Sequence, residues 1–340
     1  MPLKNYGVLV GKPVDRRLAT HGNKHYQLRI VDDEHDYRIA VNVESGDGSQ
    51  VQYAVVDPFR HPLVSALEGL PLGFHRTAPG GTLKGLDYIR GNLAAREAFR
   101  SLPFSLPGSD NDLNDKVEAL VARALASETA RLYAFGESWG IATAQPGKDK
   151  IFGFQPQRGV HDIHMNQGNS GQWKGDNGVW QDGGLLFCFD GQWAAILLKF
   201  QTQPWHTDDR TGDPLGETPG DGGTTDPDLP TGTDPQGLVR IVAALVNDTA
   251  SPEREIVTLL NRSPLAVDLA GWKLVDNAGH SLALSGRLER GATTAVNVRP
   301  TVQLSNKGGT LSLLDDSGLK VDGVSWTKEQ ARNPGWTIVF

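Results

Sequence analysis

One cysteine stands in 340 residues, Cys188, so no internal disulfide can form and no site built from several thiolates is available. It lies in the apolar run "GGLLFCFDG", which favours a packing role over a nucleophilic one. No apolar run reaches the roughly 18 residues that a membrane span needs. The amino terminus "MPLKNYGVLVGKPVDRR" lacks the apolar core and small-residue cleavage site of a secretory signal. The expected location is therefore cytoplasmic, with export by a route that leaves no conventional signal still open. A Gly-rich phosphate loop, a dinucleotide fingerprint and a Gly-x-Ser-x-Gly elbow are also missing, which argues against nucleotide-driven and serine-hydrolase chemistry.

An excess of positive charge is lacking as well. Residues 1–206 carry 21 basic against 22 acidic side chains and residues 237–340 carry 11 against 10, so neither part has the footprint of a nucleic-acid binder. The net charge of −7 resides almost wholly in residues 207–236, where eight acidic side chains face only Arg210. That segment, with "GDPLGETPGDGGTTDPDLPTGTDP" at its heart, is rich in Gly, Pro, Thr and Asp and has no apolar period, as expected of a solvated linker. It lacks the spacing of an EF-hand calcium loop. With 38% hydrophobic and 21% charged residues, the chain reads as globular, and its length predicts two domains on either side of this linker.

The carboxy-terminal part, 237–340, predicts an all-β sandwich. Short runs such as "LVRIVAALVN", "EIVTLLNRS", "HSLALSG", "TTAVNV", "GTLSLLDDSG", "KVDGVSW" and "GWTIVF" alternate with turns of the Asn-Ala-Gly and Asp-Ser-Gly kind. "EIVTLLNRSPLAVDLAGWKLVDNAG" followed by "VQLSNKGGTLSLLDDSGLKVDGVSW" resembles the lamin-tail domain, an immunoglobulin-like module. The resemblance implies a binding or tethering module for a protein, a cell surface or another macromolecule, and it brings no catalytic residues. Trp272 is expected to fill the sandwich core.

Residues 1–206 predict an α+β domain, mainly β with a few helices. "YGVLVGKPV", "HYQLRIVD", "DYRIAVNVES" and "VQYAVV" read as strands. "DNDLNDKVEALVARALASETA" and the shorter "HPLVSALEGL" read as helices. Strands return in "ARLYAFGESWG", "GVHDIHM", "GGLLFCF" and "QWAAILLKFQTQ", the last two joined through Asp190-Gly191 as a hairpin turn.

The densest polar stretch is "GVHDIHMNQGN", residues 159–169. If it is extended, a period of two places Asp162, His164 and Asn166 on one face and His161 on the other. Imidazole and carboxylate on alternate positions suit a borderline divalent ion such as zinc or manganese. Candidate metal ligands are Asp162 and His164, with Asp182 and His206 farther along. His161 and Glu137 are candidate general acids or bases, and Asn166 and Gln167 are candidates to hold a water or an oxyanion. The competing reading is a turn whose His, Asp and Asn side chains satisfy backbone groups. Other histidines, including His25, His61 and His75, read as structural or surface residues.

The same half carries a second resemblance. "PLKNYGVLVGKPVDRR", "YRIAVNVES", "DPFRHPLV", "DNDLND", "YAFGESWG", "GVHDIHMNQGN" and "VWQDGGLLF" are similar to blocks of the YukJ-like family of bacterial proteins, over residues 2–206. The resemblance implies a family without an activity to transfer. Two functions follow as expectations: a divalent-metal-dependent hydrolase of a phosphoester or, less favoured, an amide, in small or polymeric form; or a non-enzymatic two-domain adaptor whose histidine-rich stretch is structural.

Overall fold

The computed structural model describes residues 5–44, 51–77, 86, 91–95, 98–102, 113–140, 147–161, 183–200, 238–316, 318 and 320–340. Its first ten strands are β1 (Tyr6–Arg17), β2 (His25–Val31), β3 (Asp36–Asn42), β4 (Val51–Val56), β5 (Gly73–Arg76), β6 (Arg100–Ser101), β7 (Arg131–Trp139), β8 (Gly159–His161), β9 (Gly183–Phe189) and β10 (Gln192–Phe200). They form one mixed sheet in the order β5-β1-β2-β3-β8-β7-β9-β10-β4-β6, with β1 also paired to β7. Among the described residues all pairings are antiparallel except β3 with β8.

Strand β1 sets this topology by changing partners along its length. Tyr6–Gly11 pairs with β7 and Lys12–Arg17 pairs with β2, with a register shift between Pro13 and Asp15. Pro13 has no N–H to give to a ladder, so a bulge there costs little. Because β1 touches both β2 and β7, the pairings β1-β2-β3-β8-β7 close on themselves. Asp190 and Gly191 both have positive φ and reverse β9 into β10, the hairpin expected from this dipeptide.

One face of the sheet is packed by a helix, and the other is covered by a second apolar cluster along β1, β4, β7, β9 and β10. On one face Leu9, Leu28, Ile39, Val41, Leu132, Phe187 and Ile196 meet the helix α2 (Leu113–Leu125). Its buried residues Leu113, Val117, Leu120, Val121 and Ala124 fall at helical spacing, with Asp115 in the first turn and Arg123 in the last to complement the helix dipole. The helix is pinned at Glu118, which accepts from Arg16 Nε at 2.8 Å and from the Tyr26 hydroxyl at 2.5 Å. The Arg16 hydrogen bond holds the Glu118 carboxyl below its ordinary value. On the opposite face Tyr6, Val8, Tyr133, Phe135, Trp193 and Leu197 are capped by Phe59, Leu86, Leu93 and Leu67 of the short helix α1 (Leu63–Leu67). Cys188 packs against this second cluster, and burial pushes its thiol up.

Past residue 237 the strands are β11 (Val239–Leu245), β12 (Ile256–Asn261), β13 (Val267–Asp268), β14 (Lys273–Asp276), β15 (Ser281–Ala283), β16 (Arg287–Leu288), β17 (Thr293–Asn297), β18 (Gly308–Leu314), β19 (Lys320–Thr327) and β20 (Thr337–Val339). Two four-stranded antiparallel sheets, β17-β12-β11-β20 and β15-β14-β18-β19, share one apolar cluster, and β13 pairs with β16. Trp326 is the largest fully buried side chain, while Trp272 is only half-buried against the same cluster. Asp322 on β19 joins the two sheets: its carboxylate accepts from the Ile241 N–H at 2.6 Å and faces Arg240.

His61, read from sequence as structural or surface, is buried and fixes the covering loop. Its Nδ1 accepts from the Leu63 N–H at 3.0 Å, and its Nε2 lies 2.6 Å from the Gly91 carbonyl oxygen, to which it donates in the neutral tautomer. Burial lowers this imidazole from 6.5 to about 4. The unfolded chain therefore binds a proton first, so stability is intact above about pH 6.5 and falls as pH drops toward 4, by up to about 3 kcal/mol. Urea unfolding across that range should show the slope in the wild type and a flatter one in His61→Gln; equal slopes would show that His61 does not carry it.

Candidate functional site

On β2 and β3 every second residue leaves the apolar alternation: His25, Gln27 and Arg29 on one, Arg38, Ala40 and Asn42 on the other. The register makes neighbours of His25 and Asn42, of Gln27 and Ala40, and of Arg29 and Arg38. Next to β3, β8 sets Gly159 beside Arg38 and His161 beside Ala40. Next to β8, β7 sets Trp139 beside Gly159 and Glu137 beside His161. A row of register neighbours, Gln27–Ala40–His161–Glu137, polar except at Ala40, thus crosses four strands on the face opposite the α2 core. Period-two alternation produces it directly.

Gly159 makes this face possible. A Cβ there would come within 2.1 Å of the Arg38 carbonyl oxygen and 2.2 Å of the Trp139 ring, so the indole takes the space a side chain would fill. The Trp139 ring centroid is 4.3 Å from that of His161, and the Arg38 guanidinium stands 4.9 Å from the Trp139 centroid. His25 approaches His161 edge-on at 6.3 Å.

Arg38 is buried. Its Nε donates to Asp149 Oδ1 at 2.7 Å and its Nη1 to Gln27 Oε1 at 2.7 Å. Asp149 also accepts from the Ile151 and Phe152 N–H groups at 3.0 and 2.9 Å, which fastens the loop 147–158 over the polar face. Arg29, held by Asp36, adds a contact with the Phe154 ring of the same loop.

Of the residues expected at the site, the structure brings His161 and Glu137 together as direct cross-strand neighbours. Glu137 also holds Asn5, whose N–H lies 3.0 Å from both carboxylate oxygens, and so ties the residue before β1 to β7. Asp162, His164, Asn166, Gln167, Asp182 and His206 lie outside the described residues. Among the described residues no group of three or more His, Cys, Asp or Glu side chains is arranged to hold a metal ion. Sequence reasoning read His25 as structural or surface and passed over Arg38, Trp139 and Asp149. The alternation on β2 and β3 carried the signal for His25 and Arg38; the aromatic lid and the loop aspartate needed the fold.

This geometry defines a class: a mixed β domain with one face packed by a helix and the other bearing a buried polar network beside a histidine–carboxylate pair. The chain belongs to the family described as "Uncharacterized conserved protein (DUF2278)", which matches residues 1–212. It is 40% identical over 220 residues to "Uncharacterized protein YukJ" of Bacillus subtilis (strain 168), an alignment covering 63% of this chain and 96% of that relative.

The Arg38–Asp149 pair should be a main support of this face. Arg38→Met leaves the Asp149 carboxylate buried without its cation, which typically costs about 3–5 kcal/mol; the two remaining N–H donors place the expected loss near the lower end. A urea midpoint shift equivalent to under about 1 kcal/mol would contradict the role assigned to this pair.

Proposed function

We propose that the chain is a divalent-metal-dependent hydrolase whose site is built around the end of β8, with a carboxy-terminal binding or tethering module of the immunoglobulin-like, lamin-tail kind. The observation that supports this most is the cross-strand pair of His161 and Glu137, with the His25 ring 6.3 Å from that of His161. In sequence, Asp162 and His164 follow His161 at once and supply a carboxylate and an imidazole of the type that zinc or manganese accepts. Asp182 and His206 complete the candidate ligand set, and Asn166 or Gln167 would hold the water or the developing oxyanion. On this reading a divalent ion held by Asp162 and His164 would supply Lewis-acid polarisation and an activated water as nucleophile, and His161 would take up that water's proton and return it to the leaving oxygen. His161 is the better base, because both oxygens of Glu137 are already turned to the Asn5 N–H. Glu137 then acts as the cross-strand partner of His161. A phosphoester is preferred over an amide because lamin-tail domains accompany nucleases, and a small ester over a long nucleic acid because no basic excess is present.

The test combines metal stoichiometry, melting temperature and hydrolysis of a chromogenic phosphate ester on the same samples. Wild-type protein purified without chelator or histidine tag should hold a stoichiometric divalent ion. Asp162→Ala/His164→Ala should lose the ion with an unchanged melting temperature. His161→Gln should keep the ion and lose about 100-fold or more in kcat, the usual contribution of a positioned base. Wild-type protein that binds no divalent ion at micromolar concentration, with a double variant that melts well below it, would favour the non-enzymatic adaptor, in which these side chains satisfy backbone groups.

A further inference from the structure

The loop held by His61 reaches across to the carboxy-terminal sheets. Asn92, next to the Gly91 carbonyl that His61 grips, is buried and has a left-handed backbone with φ of 54°. Its Nδ2 donates to the Leu311 and Val324 carbonyl oxygens, both at 3.1 Å, and lies 3.4 Å from Ser312 Oγ. Leu311 and Val324 are register partners on β18 and β19, as are Ser312 and Gly323. One amide therefore reads two adjacent strands more than 200 residues away in sequence.

Gly323 is the seat for this side chain. A Cβ at 323 would lie 2.0 Å from Asn92 Oδ1 and 2.5 Å from its Cγ, so only glycine admits the amide. Ser312 alternates with Leu311 and Leu313 of the carboxy-terminal core and so faces away from it, yet it is buried. Something covers this outer face, and Asn92 is part of it. The Asn92 amide oxygen, pressed against Gly323, accepts no hydrogen bond among the described residues. The contact thus combines two good donations with one unsatisfied acceptor, a combination that gives specificity without great strength.

We propose that Asn92 and Gly323 are the key and seat of an intramolecular latch that docks the carboxy-terminal sheets on the amino-terminal domain. The acidic linker then does not set the distance between the two parts; the latch does. The inference stands independently of the hydrolase reading, since it draws on neither His161 nor Glu137.

The experiment places a protease site in residues 207–236 of the full chain, nicks it, and measures association of the two parts by sedimentation. Nicked wild type should travel as one species at micromolar concentration. Asn92→Gly keeps the left-handed backbone, removes the amide, and should weaken association about tenfold or more. Gly323→Ala should weaken it comparably through the clash. Adding Gly323→Ala to Asn92→Gly should then cause little further loss, because the clash partner is gone. Wild-type parts that separate at micromolar concentration, an unaltered association in Asn92→Gly, or effects that add in the double variant would each overturn the latch. Asn92 lies in a loop outside every strand, so Asn92→Gly decides the matter even if Gly323→Ala disturbs β19.

Discussion

The backbone of β1 cannot be satisfied by one neighbour along all 12 of its residues, and the amino-terminal domain is organised around that constraint. Its first half needs β7 and β5, its second half needs β2, and the bulge after Pro13 separates the two regimes. A strand that serves two neighbours in series bends the sheet back on itself, so β3 and β7 come to lie on either side of β8. With only three residues, β8 is held by parallel bonds to β3 and antiparallel bonds to β7. Without that flanking, so short a strand would not place a side chain reliably. His161 therefore owes its position to a pairing choice made at the very start of the chain.

The second apolar cluster covers the face opposite α2 along β1, β4, β7, β9 and β10, and leaves that face of β2, β3 and β8 to polar residues. Where loop 147–158 buries part of this polar face its groups need partners, and Arg38 is the means. Its guanidinium satisfies Gln27 and Asp149 while its face rests near Trp139. A lysine at this position could not offer donors in two directions within one plane as well as a flat surface for an indole. Gly159 allows that stack by leaving out a Cβ, and the same omission brings the β8 backbone close to β3. Support for a site and burial of charge are the same event here, which is why the loop around Asp149 closes over this face.

Strand positions were legible in the sequence because period-two alternation and turn dipeptides are local: "HYQLRIV", "DYRIAVN" and the Asp190-Gly191 turn appear where expected. The α2 helix was legible for the same reason, through its unbroken apolar spacing. The two-residue strand β16 was not, since a strand as short as this has no period to detect. Sequence also named His161 and Glu137 as chemically interesting but gave no reason for them to be neighbours; that depends on register, which no local pattern encodes. His61 looked like one more scattered histidine, and only its burial between Leu63 and Gly91 distinguishes it. The segment 162–182 carries most of the candidate ligands and lies outside the described residues, so the histidine–carboxylate pair is the portion of the site on which sequence and structure meet.

The composition of residues 207–236 reads as a solvated spacer, yet a contact made by other parts of the chain joins what lies on either side of it. Covalent connection gives two such parts a high effective concentration for each other, so even a modest intramolecular contact is well populated. Asn92 supplies such a contact, with its carbonyl acceptors fixed in a ladder and its own backbone held by the His61–Gly91 bond. Because both sides are preorganised, little entropy is lost when they meet. The acidic excess of residues 207–236 lies between nearly neutral flanking parts, so it adds little charge repulsion between those parts. With the proposed latch in place, residues 207–236 have only to span it without strain, a demand that a sequence rich in Gly, Pro and Asp suits.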